Sequence, residues 1–299
     1  MLRRIWIYLK EMFPLFSRLL VGLGIFFELY FIVLLNYGVT NFSIGIAEFV
    51  GAFTVFAFLF LLRVADDFKD YQTDKELFPE RALPSGKVRK SDLIIALIFV
   101  ESIVVILNLL LMNNWPFLVF LYLYGGLMSF WFFAKSKIQK NLPLALITHN
   151  PVQIIINIYV VSFTCIKYGL DWQSITVVFA VLTMYFPGLI WEISRKIRAP
   201  RDETKYTTYS KIFGYKKSTN FVLIMTLLDI VTNIVLVWNL NKITIGLLLI
   251  NLAWMIWKFV QFKKDPTKFK LVDKVVIYTY IQESLMILTV AIFLLFGRI

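Results

Sequence analysis

Long apolar segments recur along the whole chain and constrain its fold more than any other feature. Nine stretches of predominantly apolar residues have roughly the 17–25 residues that cross a bilayer as a helix. Because lipid offers no hydrogen-bond partners to exposed backbone groups, such stretches are expected to be helical. The sequence therefore predicts an all-α membrane protein. Its predicted spans are 15–36, 42–63, 92–112, 116–134, 142–163, 174–194, 220–238, 243–260 and 274–296, of which the eighth is the weakest.

The composition excludes several other classes of protein and of site. Hydrophobic residues make up 59% of the 299 residues and charged residues 17%, whereas soluble domains have about 45–50% and about 25%. The chain has one cysteine, Cys165, and one histidine, His149, which excludes a disulfide framework within the chain and metal centres built on several such residues. A metal site must therefore use carboxylates, which suit Mg²⁺, Ca²⁺ or Mn²⁺.

Positive charge is distributed unequally between the loops. Of the 31 Lys and Arg residues, 27 lie in the N-terminal segment and in the loops after the second, fourth, sixth and eighth spans, whereas the opposite side has only Lys167, Lys242 and Arg298. Cytoplasmic loops of membrane proteins carry an excess of Lys and Arg, so we expect the N-terminus to be cytoplasmic and the C-terminus outside. We expect one multi-pass domain over 1–299, in a prokaryotic plasma membrane. Residues 1–14 are predicted to form an interfacial helix. The net charge of +12 is thus a topological signal, and no nucleic-acid partner is expected.

The first long cytoplasmic loop carries four aspartates within nine residues. Asp66, Asp70 and Asp74 are spaced at i, i+4 and i+8, so a helix places their carboxylates on one face, with Asp67 beside them. Like charges at this spacing repel, whereas Mg²⁺ shared with a polyphosphate removes the repulsion and prefers oxygen ligands. We interpret this aspartate row as a metal site for a phosphorylated substrate. The alternative is a solvated acidic turn that ends the second span.

Basic residues accompany the aspartate row and begin the second long loop. Arg63 and Lys69 are placed to bind phosphate oxygens directly. In the second loop, Glu192, Arg195 and Lys196 lie at i, i+3 and i+4 and share a helical face. Two interpretations stay open for this face. It is either an internally paired surface helix with topological charge, or a mixed metal and phosphate site that faces the first loop.

The first loop resembles a motif of the UbiA-type intramembrane prenyltransferase superfamily. That superfamily has Asn-Asp-x-x-Asp-x-x-x-Asp after its second helix. Here Asp66-Asp67-Phe-Lys-Asp70-Tyr-Gln-Thr-Asp74 matches the motif, with Asp66 in the Asn position. The agreement of span number and motif placement extends the resemblance over essentially the whole chain.

Two further segments resemble segments of the superfamily, and a third differs from it. The turn that begins at Arg81, Arg-Ala-Leu-Pro-Ser-Gly, is similar to the family's Arg-Pro-Leu-Pro-Ser-Gly segment. Trp131-Phe-Phe-Ala-Lys135 lies where the family often has Tyr-x-x-x-Lys. The family's second motif, Asp-x-x-x-Asp, is Glu192-Ile-Ser-Arg-Lys196 here, so a cation replaces the second carboxylate.

The resemblance implies nine transmembrane helices around a central cavity, with short helices in the cytoplasmic loops. It implies Mg²⁺-dependent transfer of a prenyl group from a prenyl diphosphate to a hydrophobic, most often aromatic, acceptor amid membrane lipid. The alternative is a terpene cyclase, which ionises the same donor and traps the cation internally. A transporter or scaffold is disfavoured because transport needs no four-aspartate site.

The resemblance also implies which residues act in the site. The expected catalytic residues are Asp67, Asp70, Asp74, Glu192 and Lys196. The expected diphosphate ligands are Arg63, Lys69, Arg81, Lys135, Arg195 and Arg198, and the expected metal ligands are Asp66, Asp67, Asp70, Asp74, Glu192 and Asp202.

A polar segment interrupts the fifth predicted span at His149-Asn150-Pro151. Pro151 removes a backbone hydrogen-bond donor, which opens the local helical ladder beside two polar side chains. His149 is either a structural hydrogen-bonding group or a residue that contacts substrate or acts as a base.

Overall fold

The computed structural model describes residues 1–204 and 206–297, so the predicted outward cation Arg298 lies outside the described residues. Within these residues the chain is all-helical, without strands. The α-helices are α1 Leu2–Met12, α2 Leu15–Asn36, α3 Ile46–Lys69, α4 Tyr71–Leu77, α5 Lys90–Leu111, α6 Trp115–Ser129, α7 Lys135–Ile138, α8 Leu142–His149, α9 Val152–Tyr168, α10 Ile175–Thr183, α11 Phe186–Ser194, α12 Tyr209–Phe213, α13 Tyr215–Val237, α14 Lys242–Lys264 and α15 Leu271–Phe296. The all-α prediction is confirmed.

Eight helical segments in the described part of the chain are long and apolar enough to cross a membrane. Six are single helices, and two are broken pairs, α8 with α9 and α10 with α11. The break between α8 and α9 falls at Asn150 and Pro151, where proline lacks the N–H that would continue the helix. The eighth predicted span, the weakest by sequence, is the 23-residue α14.

The fourth predicted span is shorter in the structure, so the prediction of nine full-length spans is not confirmed. Its helix, α6, has only 15 residues, fewer than the ~20 needed to cross a bilayer. The prediction extended to residue 134 because the five residues after α6 are all apolar. Trp131, Phe132 and Phe133 instead have φ values of 55°, 48° and 57°, a left-handed conformation that is uncommon for bulky residues. Hydropathy does not register this change of backbone direction.

Helices α2 and α3 pack closely because glycines leave room at their contact. A Cβ on Gly22 would lie 2.9 Å from the Cβ of Phe56 and 3.0 Å from its backbone nitrogen. A Cβ on Gly51 would lie 2.1 Å from the ring of Phe26, which is fully buried. Small residues at such contacts let helix backbones approach each other in a membrane.

We expect Gly22→Ala to destabilise the protein by about 1–3 kcal/mol, because the added methyl group overpacks the contact with α3. Gly24→Ala is the matched control on the same helix, since its Cβ would meet nothing within 4 Å among the described residues. Alanine also has a higher helix propensity than glycine. Thermal unfolding of the purified variants in detergent measures the difference. Equal unfolding temperatures for the two variants would contradict this account of the α2–α3 contact.

The loops that follow α3, α6, α11 and α14 meet at one end of the helical bundle, which we call the basic end. Arg201, from the loop after α11, donates to the carbonyl oxygen of Thr267, after α14, at 3.0 Å. Lys69, at the end of α3, lies over the ring of Trp131, after α6. These contacts gather the loops that carry the sequence motifs.

The N-terminal helix α1 packs against the bundle at this end. Its Tyr8 is buried with Phe60 of α3 and Leu93 of α5. Arg4 donates two hydrogen bonds, of 2.6 and 2.8 Å, to Asp92 of α5. Other large apolar side chains of α1 remain exposed, as suits a helix at a membrane interface.

Candidate active site

The aspartate row lies at the basic end, where α3 passes into α4. Asp66 and Asp67 belong to the last turn of α3, Asp70 joins the two helices, and Asp74 lies in α4. The backbone stays helical across most of this segment, because Asp70 N–H bonds to the carbonyl of Asp66 and Asp74 N–H to that of Asp70. The i, i+4, i+8 spacing therefore produces the continuous row that the sequence predicts.

Three of the four aspartates are ion-paired with basic residues of the same segment. The pairs are Lys69–Asp66 at 2.8 Å, Arg63–Asp67 at 2.6 Å and Arg81–Asp74 at 2.8 Å. Asp70 has no such pair among the described residues. Burial, together with the charges of the three other aspartates, raises the pKa of Asp70 above its usual value, although Lys69 opposes the shift. Asp70 is therefore a carboxylate available for a new ligand.

Asp67 is held from a second side by α1. The hydroxyl of Tyr8 donates to Asp67 Oδ2 at 2.6 Å, while Arg63 binds Oδ1. Burial raises the pKa of the Tyr8 hydroxyl, so it remains a donor. Sequence reasoning did not identify Tyr8. The only signal is that Arg4, Tyr8 and Glu11 share one helical face, and this pattern does not name their partners.

Lys69 connects the aspartate row to the broken fifth span. Its Nζ lies 4.8 Å from the ring centroid of Trp131, a cation–π contact. The Trp131 ring in turn lies edge-on to that of His149, with 5.1 Å between centroids. Lys69 therefore links the first long loop to the segment after α6 and, through Trp131, to His149.

Buried hydrogen-bond donors remain free in this region. Within the described residues, Arg63 Nε and Trp131 Nε1 have no hydrogen-bond partner. Both are N–H groups that can only donate, and an unpaired buried donor is costly. Arg63 pairs with Asp67 and Trp131 contacts Lys69, so each of the two residues has a free donor close to the aspartate row.

His149 presents an unpaired nitrogen in the same region. The hydroxyl of Thr148 donates to the carbonyl of Leu144 at 2.8 Å, so its oxygen accepts from His149 Nδ1, which is 2.9 Å away. This pattern places the proton on Nδ1 and the lone pair on Nε2. Nε2 is buried and has no partner among the described residues, so it can accept a hydrogen bond from a substrate.

In the second loop, Glu192 is paired with two cations that face different surroundings. Lys196 Nζ lies 2.8 Å from its Oε1, and Arg195 Nε lies 2.6 Å from its Oε2. The Lys196 side chain is 13% exposed and that of Arg195 is 44% exposed. Arg195 also stacks on Trp191. The internal pairing is thus present, and it leaves Lys196 on the buried side of the helix.

Comparison of the whole chain with solved structures identifies the fold. The structure of a digeranylgeranylglyceryl phosphate synthase in membranes, a UbiA-type prenyltransferase, has a TM-score of 0.64 over 97% of this chain and 98% of its own. This chain has the UbiA-type fold. The sequence identity is 19%, which supports the fold alone. No protein-family model matches the sequence, and no curated protein does.

The remaining predicted residues have partners or surroundings other than the aspartate row. Lys135 is exposed at the start of α7. Arg198 donates to the hydroxyl of Thr204 at 3.0 Å, and Asp202 lies 3.7 Å from Arg201. In the described part of the chain none of these side chains is ion-paired with the aspartate row. Arg195, Arg198 and Asp202 instead line a cavity beside α14 and α15.

The donor set of the aspartate row fits Mg²⁺ chemically. Carboxylate oxygens are the ligands that Mg²⁺ prefers, and a divalent cation would remove the repulsion that acts on Asp70. Among the described residues, no three acidic, histidine or cysteine side chains converge as a metal cluster. Asp66, Asp67 and Asp74 must therefore turn from their own cations to join Asp70 as ligands. Glu192, already engaged by two cations, offers little to a second metal.

Proposed function

We propose that this protein transfers a prenyl group from a prenyl diphosphate to a lipid-soluble acceptor, with Mg²⁺ as its cofactor. One observation carries the proposal. In a UbiA-type fold, the aspartate row lies at one end of the bundle together with Lys69, which contacts Trp131, and the Trp131 ring in turn contacts His149. Four carboxylates beside phosphate-binding cations suit a metal–diphosphate complex better than a structural turn.

The chain's own cations would bind the leaving diphosphate. Lys69 and Lys196 supply ammonium groups, and Arg63 Nε and Trp131 Nε1 supply N–H donors. Bonds from these donors strengthen as negative charge moves onto the diphosphate, which lowers the barrier to breaking the allylic C–O bond. Mg²⁺ held by Asp66, Asp67, Asp70 and Asp74 would supply further charge neutralisation.

The acceptor is proposed by class only, as a hydrophobic molecule with a polar group. The lone pair on His149 Nε2 is suited to accept a hydrogen bond from an acceptor hydroxyl. The family resemblance implies an acceptor that is most often aromatic, whereas the structural neighbour is named for the synthesis of a glyceryl phosphate lipid. Both classes therefore belong in the experiment.

The test is to incubate the purified protein in lipid nanodiscs with geranyl, farnesyl or geranylgeranyl diphosphate and Mg²⁺. Aromatic acceptors, glyceryl phosphate lipids and lipids that co-purify with the protein are then added separately. A transferase releases diphosphate and forms a prenylated acceptor only when an acceptor is present. The alternative, a terpene cyclase, forms diphosphate and a cyclic hydrocarbon or alcohol without one. Failure to release diphosphate from all three donors under every condition would contradict both.

A second prediction tests whether Asp67 is a metal ligand. We expect Tyr8→Phe to destabilise the protein by about 1–3 kcal/mol without Mg²⁺, because Asp67, 4% exposed, loses its partner at Oδ2. Mg²⁺ should restore much of the loss if it binds Asp67. Thermal unfolding over a Mg²⁺ titration measures this, with Tyr280→Phe, at an exposed position, as control. A loss that Mg²⁺ leaves unchanged would remove Asp67 from the proposed ligands.

A further inference from the structure

A cavity of about 530 Å³ opens at the basic end, on the α14–α15 side of Glu192. Its volume is within the range of small-molecule sites, about 300–1,000 Å³. Its walls combine three cations, one carboxylate and two phenylalanine rings, which are Arg195, Arg198, Lys270, Asp202, Phe262 and Phe269. We call it the Arg198 cavity.

The cations of this cavity retain donors for a ligand. Arg195 uses its Nε for Glu192, which leaves its two terminal nitrogens. Arg198 donates from Nη1 to the neutral hydroxyl of Thr204, and no carboxylate among the described residues forms an ion pair with it. A guanidinium group with free N–H donors in a planar fork matches phosphate oxygens.

The acidic residues of the loop do not cancel this charge. Glu203 accepts hydrogen bonds from the hydroxyls of Thr208 and Ser210, which hold it without using an arginine. Asp202 lies in the cavity wall but is about half exposed, and Arg201 lies 3.7 Å from its carboxylate. The walls therefore keep an excess of positive charge.

The apolar part of the wall determines what kind of anion fits. Phe262 is 1% exposed at the end of α14, and Phe269 packs against it with 5.9 Å between ring centroids. Phe262 lies near the end of α14 and Lys270 just before α15, so the cavity lies where the ends of two helices long enough to cross a membrane meet. Basic pockets between such helices suit lipid head groups.

We propose that the Arg198 cavity binds the phosphate monoester head of a membrane lipid. The head lies among Arg195, Arg198 and Lys270, and the first part of the chain lies along Phe269, which the buried Phe262 supports from behind. Arg195 shares Glu192 with Lys196, and the occupant binds the terminal nitrogens of Arg195 that Glu192 does not use. The inference concerns binding alone and does not depend on prenyl transfer.

The test is native mass spectrometry of the full-length protein in detergent, titrated with phosphatidate without prenyl donor. Lys270→Gln removes one cation from the cavity wall, and we expect phosphatidate binding to weaken about tenfold, the effect of one charge-assisted hydrogen bond. Lys268→Gln is the matched control, because it removes the same charge two residues earlier, from a side chain outside the cavity wall. Its binding should equal that of the wild type.

Two further arms distinguish the source of the phosphate. Soluble glycerol phosphate should compete with phosphatidate, since it supplies the same head. Phosphatidylglycerol, whose phosphate is a diester, should bind more weakly. The proposal is overturned if both lysine variants lose binding equally, if neither does, or if phosphatidylglycerol binds as tightly as phosphatidate, because each result indicates only diffuse attraction of anionic lipid.

Discussion

Replacing Asp70 by asparagine is expected to reduce release of diphosphate from a prenyl diphosphate by roughly two to three orders of magnitude, as when an enzyme loses one electrostatic contact with the transition state. Asp70 is central in the aspartate row and has no ion-pair partner among the described residues. Its carboxylate is thus the one most available to Mg²⁺. The measurement is steady-state diphosphate release at saturating Mg²⁺.

The same substitution should leave the fold intact and stabilise it at neutral pH without Mg²⁺. Burial and three neighbouring aspartates raise the pKa of Asp70 in the folded protein. The contribution of Asp70 to stability is therefore fully present below the pKa that Asp70 has in the unfolded chain, and it is lost as pH rises through the raised pKa of the folded protein. The asparagine of the variant stays neutral, so the variant does not lose this stability at neutral pH. Glu76→Gln, at an exposed position in α4, is the control for charge alone. Normal turnover by Asp70→Asn would exclude Asp70 from the site.

Lys196→Ala is expected to cost about 1.5–3 kcal/mol in donor affinity or in the ionisation step, the value of a charge-assisted hydrogen bond. This corresponds to a loss of roughly one to two orders of magnitude. We propose that Lys196 replaces the second carboxylate of the family motif by binding diphosphate oxygens itself, since an ammonium group is a compact point charge. Lys196→Asp should then fail to restore activity unless extra Mg²⁺ is supplied.

Arg195→Ala is the matched control for Lys196. Both residues pair with Glu192, but Arg195 is exposed and lines the Arg198 cavity. Its loss should change donor turnover by only a few tenths of a kcal/mol, the usual value of a surface helix pair. Donor kinetics over a Mg²⁺ titration compare the two variants. Wild-type kinetics for Lys196→Ala would show that Lys196 is a surface cation without a role in binding the diphosphate.

Much of the architecture follows from local sequence, because the length of an apolar run and the spacing of charges are local properties. The all-α membrane fold is confirmed, and it is the fold of a UbiA-type prenyltransferase structure. The short α6 was missed for a physical reason. Trp131, Phe132 and Phe133 are as apolar as a span requires, and only their left-handed backbone ends the helix.

The arrangement of the candidate site was less accessible from sequence. Lys69, Trp131 and His149 come from three separate segments, so their contacts depend on how the helices pack. The i, i+3, i+4 spacing placed Arg195 and Lys196 on one face, but it contains no information on the rotation of that face relative to the bundle. Burial separates the two residues, and burial is set by long-range packing.

The most direct test of the central claim is a cryo-electron microscopy structure of the protein with Mg²⁺ and geranylgeranyl thiolodiphosphate, whose C–S bond resists ionisation. We predict that the diphosphate lies between the aspartate row and Lys196, beside Trp131 and His149, with Asp70 bound to Mg²⁺. Diphosphate found only in the Arg198 cavity, with Asp66, Asp67 and Asp74 still paired to their own cations, would contradict the account.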